Sequence, residues 1–404
     1  MLPLFKGQPG ILVDISGFER TFLLAVGTGI HHMRVRTFPV AAGLVWLASA
    51  CPADIDPLSG IDFVTVGAAG NAPWTGGGSA NGRGQVNYQY RIGKYEVTTA
   101  QWAEFMNAAF DRPAGDAIPW VQTPFIWGAS GTTPNNSANP NARHWTVPAG
   151  NEMRATGGIS WRTAAIYCNW LCNGKATNRE AFLTGAYDVS TFASIGGRYL
   201  DQLAHTPGAA YYIPTWDEWI KAAHYDPSKS NPDGTTGGYW TYSNSSDSPL
   251  IAGPPDIGTA NYGFTSPSPY SIMLGSYNVQ SPWGLYDAAG FTGEWTEEAL
   301  YGVPGDPPTD RLYEGSQWGF EAVFADMVRS PGGGDFPGLS GSWVGFRIAS
   351  IPSPAVWSVV AGFLIHSTLR RRRRHEKDFD SGGRRAVAVR GGCARDRKGP
   401  GDEP

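Results

Sequence analysis

Cysteine is scarce in this sequence, which holds only four: Cys51, Cys168, Cys172 and Cys393. That is far too few for a disulfide scaffold. Charge is scarce too, at 16% Asp, Glu, Lys and Arg. No apolar run reaches the roughly 20 residues of a full membrane span. The motifs His-Glu-x-x-His, Gly-x-Gly-x-x-Gly, Gly-x-Ser-x-Gly and the Walker loop are all missing, so zincin, dinucleotide, hydrolase and P-loop chemistries have no anchor. Histidine in the long middle of the chain is limited to His144, His205 and His224, on unrelated segments, which argues against a three-histidine metal centre. The main body has no excess of positive charge. The formal net charge of −4 includes 12 Lys/Arg against 6 Asp/Glu from Arg370 onward, leaving −10 for everything before it. A basic nucleic-acid surface on the body is thereby excluded, and no nucleic-acid partner is expected.

Glycine, proline and large aromatics are abundant instead. Gly 53 and Pro 31 accompany 41% hydrophobic and 13% aromatic residues with Trp 16, a composition that predicts one loop-rich globule held by aromatic anchors. Disorder of the whole is excluded by the same numbers.

Both ends read as addresses. Met33-Arg34-Val35-Arg36, the apolar run Phe38–Ala48 and Ala48-Ser49-Ala50 have the layout of a secretory signal over residues 33–50, with cleavage after Ala50 and residues 1–32 a mis-annotated leader. Cys51, next in line, is the alternative lipidation point. Over residues 351–375, Ile351-Pro352-Ser353-Pro354 leads into Ala355–Leu369, which spans only ~23 Å as a helix, and Arg370 to Arg374 follow. This arrangement resembles the PEP-CTERM sorting signal of exosortase-processed bacterial proteins, with Pro-Ser-Pro in place of Pro-Glu-Pro. An ordinary membrane anchor is the alternative. Either way the body is expected outside the cytoplasm, with envelope sorting machinery as a partner and membrane contact through the C-terminal segment before processing. Residues 376–404 carry no apolar periodicity and read as a disordered tail.

Three helices announce themselves in the body. Thr98-Thr99-Ala100-Gln101 is a capping box, and Trp102, Phe105, Met106 and Ala109 follow at i, i+3, i+4, i+7. A second helix begins near Ser160, carries Trp161, Ala165, Cys168 and Cys172 on one stripe, and stops at Asn173-Gly174. Thr215-Trp216-Asp217-Glu218 is another capping box, with Trp219, Ala222 and Ala223 facing inward and Asp226-Pro227 as the terminator. Tyr88–Val97 alternates as a strand. Asp226–Ser230 with Asp233-Gly234 imitates an EF-hand loop, but Asn231 holds the place that demands glycine, so a surface turn is predicted.

In this order the elements resemble the formylglycine-generating enzyme (sulfatase-modifying factor) family. Tyr90–Thr98 looks like its opening strand, and Ile159-Ser160-Trp161 with Ala165, Tyr167, Cys168 and Trp170 like its middle helix. Ile213–Trp219 is similar to its Leu-Pro-Thr-Glu-x-Glu-Trp block. Trp283–Asp287 with Gly290, Glu294 and Trp295, and finally Gly345-Phe346-Arg347, complete the register. The resemblance implies an α+β, C-type-lectin-like fold, loop-rich with few regular elements, in a single large domain over residues 60–350.

The founding activity of that family oxidises a sulfatase cysteine to formylglycine on copper(I) held by two thiolates, since soft sulfur selects that metal. The thiols belong to an Arg-x-Gly-Gly-Ser block shortly before Gly-Phe-Arg. Here the matching stretch Arg329–Phe336 runs on to Gly345 without one cysteine, so copper is not expected and no catalytic residue is assigned. At i, i+4 on a helix, Cys168 and Cys172 read mainly as core thiols, with a two-sulfur metal site as the alternative.

Calcium is the cofactor that the resemblance implies. Asp287 and Glu294 would supply side-chain oxygens and Gly290 and Thr292 carbonyls, although Phe291-Thr292-Gly293 stands where the family usually has Asn-x-Trp. The alternative is that Asp287 caps a turn and Glu294 is salt-bridged. Asn261 and the Tyr262 carbonyl match a second family site whose downstream Asp is missing. Trp240, Tyr242 and Trp318 are candidates for stacking on sugars, though aromatics in so loop-rich a fold belong mostly inside. The combined expectation is an exported binding or structural module, for a glycan or protein ligand, that lacks the family's catalytic cysteines; the alternative is a formylglycine-generating oxidase.

Overall fold

Thr98, Ser160 and Thr215 each start a helix by the mechanism that the sequence predicts. In the computed structural model, which describes residues 54–110, 112–124, 133–134, 145–263, 272–319, 326–330, 332–339 and 343–351, each hydroxyl accepts the backbone N–H three residues on. At Thr98 and Thr215 the side chains of Gln101 and Glu218 return the bond to the cap's own N–H, closing both capping boxes. The expected signal, sorting segment and tail all lie outside the described residues.

The elements run in chain order: β1 (Asp54–Ile55), β2 (Asp62–Val66), β3 (Tyr90–Gly93), α1 (Thr99–Ala109), β4 (Thr133–Pro134), β5 (Trp145–Thr146), α2 (Trp161–Cys172), α3 (Glu180–Leu183), β6 (Ser194–Ile195), β7 (Arg198–Tyr199), α4 (Trp216–His224), β8 (Tyr225–Ser230), β9 (Thr236–Tyr239), β10 (Gly293–Leu300), β11 (Asp310–Glu314), β12 (Gly333–Asp335), β13 (Val344–Gly345) and β14 (Ala349–Ser350). One sheet has the order β1-β2-β3-β14 and another β12-β11-β10-β13. All pairs are antiparallel except β10 with β13, where Gly293 faces Val344 and Glu294 faces Gly345. Mixed helices and short strands joined by long irregular stretches make this the α+β, loop-rich domain that the sequence implies.

Because β14 lies against β3, with Ala349 opposite Ile92, the end of the domain closes on its beginning. Tyr212 and Ala349 exchange both backbone hydrogen bonds, at 3.0 and 2.8 Å, which ties the entry to α4 into the same place.

Two large apolar clusters and two small ones fill the interior among the described residues. The larger joins Trp102, Phe105 and Met106 of α1 to Tyr167 and Trp170 of α2 and to Phe346. Phe346 meets Trp102 and Tyr167 edge-on at 5.8 and 5.6 Å between ring centroids, and contacts of this kind add about 0.5–1.5 kcal/mol each beyond area burial. The second packs Trp219, Ile220 and Ala223 of α4 on Tyr90 and Ile92 of β3 and on Leu285.

Three details differ from the sequence reading. Strand β3 is only Tyr90–Gly93, because the chain turns at Lys94, whose N–H goes to the Asp62 carbonyl (2.8 Å), and Val97 then bonds Phe346 instead of a sheet neighbour. Helix α2 is buried on nearly every side from Trp161 to Leu171, so the predicted stripe is not its only inward face. Asp226–Ser230 is strand rather than turn. It forms β8 against β9, and the turn sits at 231–235, closed by Asn231 N–H to the Thr235 carbonyl at 2.9 Å.

Candidate functional site

The place where the resemblance puts paired thiols, between Arg329 and Arg347, is packed by oxygen and carbon among the described residues. Ser330 and the Trp216 indole both donate to the buried Glu314 carboxyl, whose pKa burial raises to about 7. Gly333 lies so close beneath the Tyr313 ring that a Cβ there would have to displace it. Both body cysteines belong to α2, where Cys168 shares its buried cluster with Val344 and Phe346. Cys168 is fully buried in the α1–α2 cluster, and Cys172 donates to the Tyr211 carbonyl (3.2 Å) while accepting the Tyr211 N–H (3.4 Å). Burial raises the pKa of both thiols, most strongly at Cys168, which removes the thiolate that sulfur chemistry requires.

Beside it, at the junction of the two main sheets, lies a buried knot of charge centred on Arg347. Its guanidinium has five N–H groups, and all are used: Nε and Nη2 each lie 2.5 Å from a Glu294 oxygen, Nη1 donates to the Gly93 and Lys94 carbonyls (2.9 and 3.2 Å), and Nη2 also reaches the Tyr286 carbonyl (3.1 Å). The Trp219 indole N–H adds a third bond to Glu294, at 2.7 Å. The side chains of Arg347 and Glu294 are 0% and 1% exposed. Glu96, just before α1, accepts the Thr292 hydroxyl at 2.6 Å. Burial, then the Glu294 charge, pushes its carboxyl well above the usual range. Asp287 sits with φ +55°, accepts the Gly275 N–H at 2.6 Å, and is raised by burial to about 7.

The two side chains expected on calcium, Asp287 and Glu294, are therefore both engaged by protein groups. Glu294 is committed to a guanidinium and an indole. Asp287 caps the turn at Gly275, and Thr292, expected to lend its carbonyl, gives its hydroxyl to Glu96. Gly290 is required for a different reason: its Cα passes the Asn261 backbone so closely that a Cβ would lie 2.7 Å from the Asn261 carbonyl oxygen. Phe291, where the family usually has an amide side chain, is fully buried, at φ +56°, with its ring edge-on to Tyr277 at 5.9 Å. Calcium takes six to eight oxygens at about 2.3–2.6 Å, and of the two side chains expected to supply them Glu294 has both oxygens on Arg347 and Asp287 has one on the Gly275 N–H. Among the described residues, no three His, Cys, Asp or Glu side chains are grouped so as to hold a metal ion.

Sequence reasoning missed Glu96, Trp219 and a second buried acid, Glu297. The Glu297 carboxylate accepts the Tyr187 hydroxyl (2.5 Å), the His205 backbone N–H (2.8 Å) and the His205 ring at Nδ1, 3.0 and 3.1 Å from its two oxygens. The imidazole is stacked on Tyr212 at 3.7 Å. A capping-box signal had marked Glu218 only as a cap. It also accepts the hydroxyls of Tyr212 (2.8 Å) and Tyr88 (3.0 Å).

Concavity is offered by a cavity of about 220 Å³ beside the start of α1, with Ile55, Ile61 and Met153 as apolar wall and Asp62 and Gln101 as polar rim. Of the aromatics considered for sugars, Trp240 is half-buried with the Lys229 ammonium 4.1 Å from its ring centre, and Trp318 is tilted against Trp343 at 5.1 Å.

Comparison with known proteins places this architecture. Three solved structures are similar: Treponema denticola variable protein 1 (17% identity, TM-score 0.41, 72% of this chain and 95% of that one), CarF (19%, 0.44, 72% and 99%) and PvdO from Pseudomonas aeruginosa (14%, 0.36, 72% and 95%). No curated protein matches the chain. A family model described as "Sulfatase-modifying factor enzyme 1-like domain" matches residues 65–351, the stretch that holds the β12-β11-β10-β13 sheet, β3 and β14 of the other sheet, α1, α2, α4 and the Arg347 knot, and on that match the chain belongs to the sulfatase-modifying factor enzyme 1-like family.

Proposed function

We propose that the chain is an exported binding or structural module of the cell envelope or extracellular matrix, built on a family scaffold from which the thiol chemistry has been lost. The observation that carries this reading is the missing sulfur. No cysteine lies between Cys172 and Cys393, and the two in the body are held in the core with raised thiol pKa values. Copper(I) has no soft ligand at the place that would need one, and a substrate cysteine has no partner for thiol exchange. Export is supported by the charged, apolar and small-residue layout of residues 33–50 and by the Arg370–Arg374 stop after a short apolar segment. The cavity beside α1 is the concave feature that suits a ligand group, with apolar walls and a few polar atoms at the rim.

The decisive experiment incubates the purified chain with a Cys-x-Pro-x-Arg peptide, copper and oxygen, and follows the peptide by mass spectrometry. No conversion is expected. Copper-dependent formylglycine formation would refute the reading. A glycan array and a pull-down against envelope fractions address the ligand, and periplasmic and surface fractionation addresses export.

A further inference from the structure

The cavity beside the start of α1 draws part of its wall from outside the family match. Ile55, Ile61 and Asp62 lie ahead of residue 65, where that match begins, and they face Glu96 and Met153 across the space. We infer that this cavity binds a primary ammonium group carried on a short aliphatic chain, with the buried Glu96 carboxyl as its acceptor and Asp62 adding negative charge at the rim. The inference rests on the reading of the chain as a binding module and names the ligand chemistry of its cavity.

The free hydrogen-bonding capacity of this lining is on the acceptor side. Glu96 is 1% exposed. Its Oε2 takes the Thr292 hydroxyl at 2.6 Å, whereas Oε1 has only the Thr292 N–H at 3.5 Å, beyond a normal hydrogen bond. A carboxylate offers about four lone-pair sites, so a buried acceptor keeps room for a donor arriving through the cavity. Gln101 is already engaged, its oxygen by the Thr98 N–H (3.0 Å) and its nitrogen by the Gly60 carbonyl (3.1 Å). Two carboxyls and no lining Lys, Arg or His turn an anion away. Ile55, Ile61 and Met153 suit methylene groups, and about 220 Å³ is room for about seven waters, which accommodates one aliphatic chain and its head group. The Tyr95 wall already treats an ammonium in this way. Its ring stacks on Tyr286 at 5.4 Å, and Lys94 Nζ lies 5.7 Å from both ring centres and 3.5 Å from Asp62.

The test is calorimetric titration of the full chain, in EDTA, with n-pentylamine, cadaverine and Nα-acetyl-lysine methylamide, the last standing for a lysine side chain of a partner. 1-Pentanol and pentanoate are the neutral and anionic controls. Saturable binding of an ammonium is expected, with both controls weaker by about tenfold or more. Binding confined to the free amines identifies a small metabolite as the source, and binding of the lysine derivative identifies an exposed side chain. Met153→Trp fills the space while leaving both carboxyls in place and should abolish the signal; Glu96→Gln should weaken it about tenfold. No saturation by any of the three ammonium compounds up to roughly 10 mM, pentanol binding as tightly as pentylamine, or full affinity in Met153→Trp would each overturn the inference. If Glu96→Gln does not fold, the pentanol and Met153→Trp arms decide. A chain that ignores ammonium but scores on the glycan array or the envelope pull-down defeats this inference and leaves the binding-module reading standing, whereas formylglycine formation defeats that reading whatever the cavity holds.

Discussion

Arg347 and Glu294 are 53 residues apart in sequence and meet as a two-pronged ion pair out of reach of water. The pair bridges the carboxylate of β10 to the loop between β13 and β14, and through Gly93 and Lys94 to the end of β3, so both main sheets depend on it. Removing one partner leaves a buried charge uncompensated. Arg347→Met is expected to cost about 3–5 kcal/mol in urea denaturation. Glu294→Gln in the Arg347→Met background should recover a part, giving a coupling of roughly 0.5–3 kcal/mol. Strictly additive losses would mean that the two residues do not act as a pair.

The thiols give a prediction that also bears on the missing oxidase chemistry. Cys168 is fully buried, and Cys172 is half-buried between the Tyr211 N–H and C=O. Since the thiolate is the nucleophile and burial raises both pKa values, iodoacetamide at neutral pH should leave both unlabelled in the native chain and label both after denaturation. Peptide mapping separates them from Cys51 and Cys393. Rapid native labelling at Cys172 would place a reactive sulfur in the body and reopen the enzymatic reading.

What was legible in the sequence follows the range of the interactions. The starts of α1, α2 and α4 are written in three or four consecutive residues, because a cap and its N3 partner are neighbours, and all three appeared where the sequence put them. Strand β8 was misread because Asp, Ser and Lys residues on an exposed hairpin look like a loop when the partner strand is not in view. Glu96 bonds Thr292 across 196 positions, and Glu294 meets Arg347 across 53. Spacing inside one motif could name Asp287 and Glu294 but not what each would face. Two carboxylates seven residues apart look alike on paper, yet one turns to a guanidinium and the other to a backbone N–H.

His205 supplies the pH dependence. Burial opposes its charged form, yet the hydrogen bond and charge of Glu297 outweigh it, so its pKa is raised from 6.5. A raised folded-state pKa means that the folded chain holds the proton more tightly than the unfolded one. The stabilising contribution is therefore complete below the unfolded value and lost as pH rises through the folded value. The groups facing the ring are Glu297, Tyr212 and Glu218. Wild type should exceed His205→Gln in stability most at mildly acidic pH, and the difference should shrink through neutrality. A gap that is flat from acid to alkaline pH would show that His205 acts there only as a neutral hydrogen-bond donor.

Gly290 tests the close approach that shapes the same segment. With φ +92°, it brings the chain against Asn261 so tightly that a Cβ would sit 2.7, 2.8 and 2.9 Å from three backbone atoms of that residue. Backbone atoms cannot rotate aside as a long side chain can. Gly150 has nearly the same conformation, φ +86°, with nothing within 4 Å of its would-be Cβ. Replacing Gly150 by Ala should therefore report the conformational penalty alone, about 1–3 kcal/mol. Gly290→Ala must add the displacement of the Asn261 segment, and with it the Phe291 N–H bond to the Asn261 carbonyl at 2.9 Å. Its unfolding midpoint should fall well below that of Gly150→Ala, with folding failure as the extreme of the same outcome. Equal midpoints would mean that Asn261 can move away at no cost, and that the contact between the two segments does not hold Phe291 in place.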